Sequence, residues 1–183
     1  MAHVLVPLAP GCEEVEAVTV IDLLRRAGIT VVAAGLTDGV VTASRGTRLL
    51  PDTDLDSALE RDYDMVVLPG GLPGADHLDA DPRVRELLRR MAESGRFTAA
   101  ICAAPKVLAS AGLLAGRRAT AYPGVLDAIA AADIERSTDA VVVDGKVVTS
   151  RGPGTAMDFA LELIERLTDR ATRERVEAGL VRS

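Results

Sequence analysis

Aromatic residues are scarce in this chain: two Tyr, two Phe and no Trp make up 2% of its 183 residues. The core therefore has to be aliphatic, and the ring platforms on which single-stranded nucleic acids stack are missing. Positive charge is short as well, with 21 Lys and Arg against 27 Asp and Glu and a formal net charge of -6. That leaves no basic stripe for a phosphate backbone, so nucleic-acid binding is not expected. Cysteine and histidine number two each and form no close ligand pair, so neither a disulfide framework nor a metal site is expected. No segment approaches the ~20 apolar residues of a membrane span. Met1 to Pro10 has neither the basic start nor the long apolar stretch of a signal peptide. The expectation is one domain over residues 1–183, cytoplasmic, with reduced thiols and no membrane contact.

What is present is alternation. Short apolar runs are separated by helical patterns, the signature of an α/β fold with a mostly parallel sheet covered on both faces. Strands are predicted at Val4 to Leu8, Thr30 to Ala34, Met65 to Leu68 and Phe97 to Ile101, with a side ribbon from Val40 to Ala43 and Arg48 to Leu50. Helices are predicted at Glu13 to Ala27, Leu55 to Arg61 behind Asp54, Pro82 to Ser94 behind Asp81, Ala104 to Ala111 and Thr155 to Leu167, with a further one in the charged tail. Val141 to Val148 reads as a hairpin turning on Asp144-Gly145.

Three clusters then fall at one edge of the sheet, where α/β sites gather. Cys102 stands at the junction of a buried strand and a helix, a turn that lifts its side chain out of the sheet. The helix N-terminus and its free N–H groups are expected to hold the thiol pKa below the usual ~8.5. A buried structural cysteine is the plainer alternative. Gly70 and Gly71 end the neighbouring strand, where backbone N–H groups can approach a ligand unhindered. The Gly71 and Ala103 N–H groups are expected to form an oxyanion cradle beside the sulfur. Glu13, Glu14 and Glu16 open the first helix. The helix dipole accounts for Glu13 and Glu14, but Glu16 lies toward the inward face, where burial and a nearby thiolate raise its pKa. Protonated, it can donate to the sulfur or pass a proton.

These clusters, with Arg25 to Ile29, Val66 to Gly71, Ala99 to Ala103 and the run Thr149-Ser150-Arg151-Gly152-Pro153-Gly154-Thr155, resemble the ThiJ/PfpI (DJ-one) superfamily, in the branch of the protein deglycases. The resemblance implies a flavodoxin-like sandwich and a homodimer. It also implies a reactive Cys102, a protonated Glu16, oxyanion donors at Gly71 and Ala103, and accessory arginines near the site and dimer interface at Arg26 and Arg45. It implies cofactor-free conversion of methylglyoxal or glyoxal to hydroxy acids, or removal of early glycation adducts, so that the partner is a small dicarbonyl or a glycated protein. Stress protection and chaperone-like holding also belong to the family. Tyr122 stands where some members place a His near the Cys; a phenol of pKa ~10 orients or donates but is a poor base. Ala103 replaces the His that follows the Cys in the protease-like members, and His3 and His77 are read as structural or surface residues, which disfavours a Cys-His hydrolase.

Two functions stay open on these residues. One is a glyoxalase or deglycase in which the Cys102 thiolate attacks an aldehyde. The other is a redox sensor in which Cys102 oxidises with little turnover. Cys12 reads as a small loop residue, or else as a resolving thiol for Cys102.

Overall fold

The computed structural model describes residues 1–129 and 133–182. The chain opens with β1 (His3–Leu8), α1 (Glu14–Arg26) and β2 (Thr30–Gly35). An antiparallel ribbon of β3 (Val41–Thr42) and β4 (Arg48–Leu49) follows, then β5 (Thr53–Asp54) and α2 (Leu55–Ala58). Next come β6 (Met65–Leu68), α3 (Gly74–Ala80), α4 (Pro82–Glu93), β7 (Phe97–Ile101) and α5 (Pro105–Ser110). The last part comprises β8 (Arg118–Ala119), β9 (Glu135–Arg136), the hairpin of β10 (Val141–Asp144) and β11 (Val147–Ser150), a 3-10 turn at Pro153–Thr155, α6 (Ala156–Leu167) and α7 (Arg170–Gly179).

Seven strands form the main sheet in the order β10-β11-β7-β6-β1-β2-β5, parallel except for the β10–β11 pair. The two-residue period of the strands sends alternate side chains to opposite faces. Val4, Val6, Leu8, Met65 and Val67 join a core under α1 and α6, where Leu24, Phe159 and Leu163 are fully buried. Leu5, Val66, Leu68 and Ala100 join a second core with Leu87, Leu88, Val107 and Leu108 from α4 and α5. Each core is almost wholly aliphatic. The result is the doubly covered parallel sheet expected from the alternation and the flavodoxin-like sandwich that the resemblance implies. Among the described residues no helix is long and apolar enough to cross a membrane.

Local chemistry sets the helix starts. The Asp81 side chain accepts the Arg83 N–H at 2.9 Å and Pro82 opens α4, a combination that satisfies one orphan N–H and presets φ for the first turn. Glu13 caps α1 by accepting the Glu16 N–H at 3.0 Å. Glu14 does more than meet the dipole: it accepts from Ser44 Oγ at 3.0 Å and from the Arg45 N–H at 3.0 Å, tying the ribbon to the start of α1.

Three features depart from the expectation. Helix α3 forms after a breaker-rich Gly71-Leu72-Pro73-Gly74 because Ala75 and Leu78 bury against the second face. Strands β8 and β9 pair over two residues, too short to leave a pattern in the sequence. The hairpin forms, but its turn is shifted by one residue. Asp144 pairs with Val147, so the central residues are Gly145 and Lys146. Of the two only Gly145 takes a positive φ, 59°, the position where a type II′ turn needs glycine.

Candidate active site

The strand order seats β1 beside β6 and β6 beside β7, so the segments that follow these strands share one edge of the sheet. The chain leaves β1 for β2 on one side and returns to β6 on the other, which makes this edge a topological switch point. Glu16, Gly70, Gly71 and Cys102 all lie there.

Cys102 has φ 64°, a left-handed conformation that costs a non-glycine residue of order 1–3 kcal/mol and persists only when its surroundings enforce it. Two backbone bonds enforce it here. Its N–H donates to Ser150 O at 3.0 Å, and its carbonyl accepts the Tyr122 N–H at 2.9 Å. The strand therefore ends in an elbow that turns the sulfur away from the sheet, and the residue keeps 8% of its surface exposed.

Gly70 is where the three strand ends touch. A Cβ on it would stand 2.6 Å from Cys102 Cβ and 2.8 Å from Glu16 Oε2. Its N–H donates to Glu16 Oε2 at 2.8 Å and its carbonyl accepts the Glu13 N–H at 2.9 Å. Gly70 is therefore not a substrate-binding donor as expected, because its N–H is spent on orienting Glu16. The N–H groups of Gly71 and Ala103, by contrast, act on the Cys102 sulfur, each favouring its charged form.

Glu16 is fully buried, and its second oxygen, Oε1, has no well-aligned hydrogen-bond partner. Burial, opposed by the Gly70 N–H and the contact with Cys102, pushes its carboxyl up to about 7. The expectation of a depressed Cys102 pKa is corrected. Burial of the sulfur, reinforced by the charge and close approach of the Glu16 carboxylate, pushes the thiol up to about 12 against the opposing pull of the Gly71 and Ala103 N–H groups. Moreover, α5 begins only at Pro105, three residues past the sulfur. Two of the upward influences on Cys102 require an ionised Glu16. A proton on Glu16 removes the repulsion and turns the carboxyl into a donor to sulfur. Acid and thiol thus titrate as one coupled pair.

The remaining expected residues divide. Tyr122 is half exposed and its ring lies against Gly152, where a Cβ would stand 3.4 Å from Tyr122 Cδ2 and 4.0 Å from Cys102 Sγ. Arg26 does not reach the site of its own chain. It pairs with Asp22 at 2.8 Å at the far end of α1, about 15 Å along the helix from Glu16 at 1.5 Å per residue. Arg45 sits exposed at the tip of the ribbon, held through its backbone by Glu14. Cys12 is fully buried, and burial together with Glu14 pushes its thiol up to about 11. His77 Nδ1 meets Pro10 O at 2.8 Å and stays on the surface. Among the described residues no group of three or more His, Cys, Asp or Glu side chains is placed to hold a metal ion.

Sequence reasoning did not foresee the site roles of Ser150 and Gly152. Ser150 pins the elbow through its carbonyl, and its Oγ meets Thr155 Oγ1 at 2.7 Å, which in turn accepts the Gly152 N–H at 3.2 Å. The run from Thr149 to Thr155 was the available signal. It folds back over the sulfur from β11, a strand that pairs with β7.

A strained cysteine elbow beside a buried, proton-retaining carboxyl, on a flavodoxin-like sandwich, defines a class of cysteine-centred α/β proteins. The model of the DJ-1/PfpI family matches residues 2–166, and the chain belongs to that family. It is 44% identical over 178 residues to Protein dj-1beta of Drosophila melanogaster, covering 97% of this chain and 95% of that one. The crystal structure of Drosophila melanogaster DJ-1beta superposes with a TM-score of 0.95 at 43% identity, over 100% of this chain and 98% of the other. A Caenorhabditis elegans relative named glutathione-independent glyoxalase DJR-1.2 is 37% identical over 164 residues, 89% of this chain and 87% of that protein.

Proposed function

We propose that the protein is a cofactor-free, cysteine-dependent glyoxalase, with deglycase activity on early adducts of the same dicarbonyls. The observation that carries this is the buried Glu16 beside the Cys102 sulfur, raised to about 7 and free at Oε1. A carboxyl poised near neutrality is the group such an isomerisation needs. The name of the glyoxalase relative supports the same reading.

In this mechanism the Cys102 thiolate adds to the aldehyde carbon of methylglyoxal, and the resulting oxyanion is protonated to a hemithioacetal. The Gly71 and Ala103 N–H groups lie beside the forming charge. Glu16 as carboxylate takes the proton from the former aldehyde carbon and returns it to the adjacent carbon, while the hydroxyl proton passes to the neighbouring carbonyl oxygen, which leaves a lactoyl thioester on Cys102. Water adds to the thioester carbonyl, the thiolate departs and lactate is released. One dicarbonyl and one water are consumed, with no net oxidation. Purified protein should convert methylglyoxal to lactate, and Cys102→Ser and Glu16→Gln should each lose at least a hundredfold. Unchanged rates in both variants would end this reading.

The residual exposure of Cys102 favours a second reading, a peroxide sensor. The protonated Glu16 and the two N–H groups would hold a sulfinate, while fully buried Cys12 stays reduced. Mass spectrometry after mild peroxide should find two added oxygens on Cys102 and none on Cys12. A second copy of the chain is proposed as partner. α1 and α6 pack side by side, and Val15, Val18 and Met157 are left about half exposed on them. Light scattering should report a dimer that Val18→Glu converts to a monomer.

A further inference from the structure

A cleft of about 360 Å³ opens beside the Tyr122 ring, lined by Ala121, Leu126, Arg136 and Arg151 among others. It lies next to the chemistry but holds none of the residues used above except Tyr122. Its size falls at the small end of the range for small-molecule sites.

Its charges are unequal. Arg136 Nε lies 3.2 Å from Asp127 Oδ1 and its Nη2 donates to Leu126 O at 3.2 Å, so this guanidinium is largely spoken for. Arg151 donates Nη1 to Thr138 O at 3.0 Å. Among the described residues no carboxylate pairs with it. Arg136, Arg151 and Asp127 together leave the lining with one net positive charge, set against apolar walls from Ala121 and Leu126. A guanidinium with free N–H groups in a partly apolar cleft is suited to a carboxylate. One net charge matches a monoanion better than a phosphate dianion.

Gly152 lies between the Tyr122 ring, which lines the cleft, and the Cys102 sulfur. This residue directly follows Arg151, and a Cβ on it would stand 3.4 Å from the Tyr122 ring and 4.0 Å from Cys102 Sγ. The missing side chain leaves the space between the Tyr122 ring and the sulfur unfilled. Backbone strain plays no part, because Gly152 is extended with φ 167°.

We propose that this cleft is a subsite for the carboxylate-bearing aliphatic tail of the carbonyl substrate, with Arg151 as the binding group and Gly152 as the passage to Cys102. The inference rests on the glyoxalase reading for its substrate class. The preferred substrates are then short oxoaldehydes that end in a carboxylate.

The test compares kcat/KM for methylglyoxal with that for 4,5-dioxopentanoate, which carries the same reacting group and a terminal carboxylate. The acid should be favoured about tenfold, the worth of one charge-assisted hydrogen bond. Arg151→Met should abolish that preference through KM, and Arg151→Lys should restore part of it. Gly152→Ala should raise KM for the acid more than for methylglyoxal. Equal preference in wild type and Arg151→Met would overturn the subsite, and a stronger preference for hydroxypyruvaldehyde phosphate would overturn the monoanion assignment. A turnover-independent arm separates the two readings. Cys102 alkylation by iodoacetate relative to iodoacetamide should exceed the ratio for free cysteine, and Arg151→Met should bring it down to that ratio. That result without any lactate formation would support the subsite and count against the glyoxalase; a wild-type ratio equal to that of free cysteine would overturn the subsite.

Discussion

Glu16 is held by Gly70: the glycine N–H donates to Oε2 at 2.8 Å, and Oε1 is left buried without a well-aligned partner. A carboxyl fixed at one oxygen and unpaired at the other is primed to hold a proton, and the nearest group that gains from that proton is the Cys102 sulfur. The chemistry of the site follows from this arrangement, and so do most of its measurable consequences.

The first consequence is a plateau. With Glu16 near 7 and Cys102 near 12 when Glu16 is charged, the thiolate–acid and thiol–carboxylate forms carry the same net charge. Their ratio does not depend on pH. Alkylation of Cys102 should rise with one apparent pKa near neutrality and then stay level to about pH 9. A rate that climbs tenfold per pH unit throughout would show an uncoupled thiol and end the acid–thiolate account.

Stability should carry the same signature with a definite sign. The folded-state pKa of Glu16 is raised from 4.5 to about 7. The stability it lends is therefore complete below about pH 4.5 and is lost as pH rises through about 7. The full loss is about 3 kcal/mol. Glu16→Gln cannot ionise, so it should be more stable than wild type at pH 8 and nearly equal to it at pH 4. Urea unfolding at the two pH values measures this, and an identical pH dependence in both proteins would contradict it.

Glu14 has the opposite sign. Burial works upward as its largest single influence, but its own N–H and the bonds from Ser44 and Thr47 together lower it to about 2. Its contribution is present above about pH 4.5 and is lost as pH falls through about 2. Glu14→Gln should loosen the β3–β4 ribbon, seen as faster hydrogen exchange at Arg45 and Thr47 at pH 7, with exchange in β6 unchanged.

Gly70→Ala would force a methyl to 2.6 Å from Cys102 Cβ. Such overpacking costs about 1–3 kcal/mol and pushes the elbow away from Glu16. The variant should remain folded while its Cys102 alkylation loses the plateau. A plateau retained in this variant would show that the approach of the three strand ends does not set the coupling.

Phe159 is the largest fully buried side chain in a core nearly without rings. Phe159→Ala should cost about 3–5 kcal/mol, measurable by chemical denaturation. Substitution of half-exposed Tyr122 should cost far less, which separates the ring that fills the core from the ring that lines the site.

Strands Met65–Leu68 and Phe97–Ile101 were legible residue for residue, because a strand buried on both faces leaves an unbroken apolar run. Asp81-Pro82 marked the start of α4, since capping is local chemistry. Cys102 and Glu16 were legible as candidates because Cys102 directly follows β7 and Glu16 falls in the first turn of α1 with inward spacing. Helix α3 and the β8–β9 pair were not legible, because long-range packing stabilises them and their own sequence does not.

By itself the sequence determined the sandwich, the sheet edge at which chemistry gathers, and the residue types available there, since hydrophobic period and strand-end position are local properties. Only the tertiary structure decided that Gly70 serves Glu16, that Ser150 pins the elbow, that Gly152 lies against Tyr122 and the sulfur, and that burial raises the Cys102 thiol. Each of these depends on segments distant in the chain being pressed together, and desolvation exists only once they are.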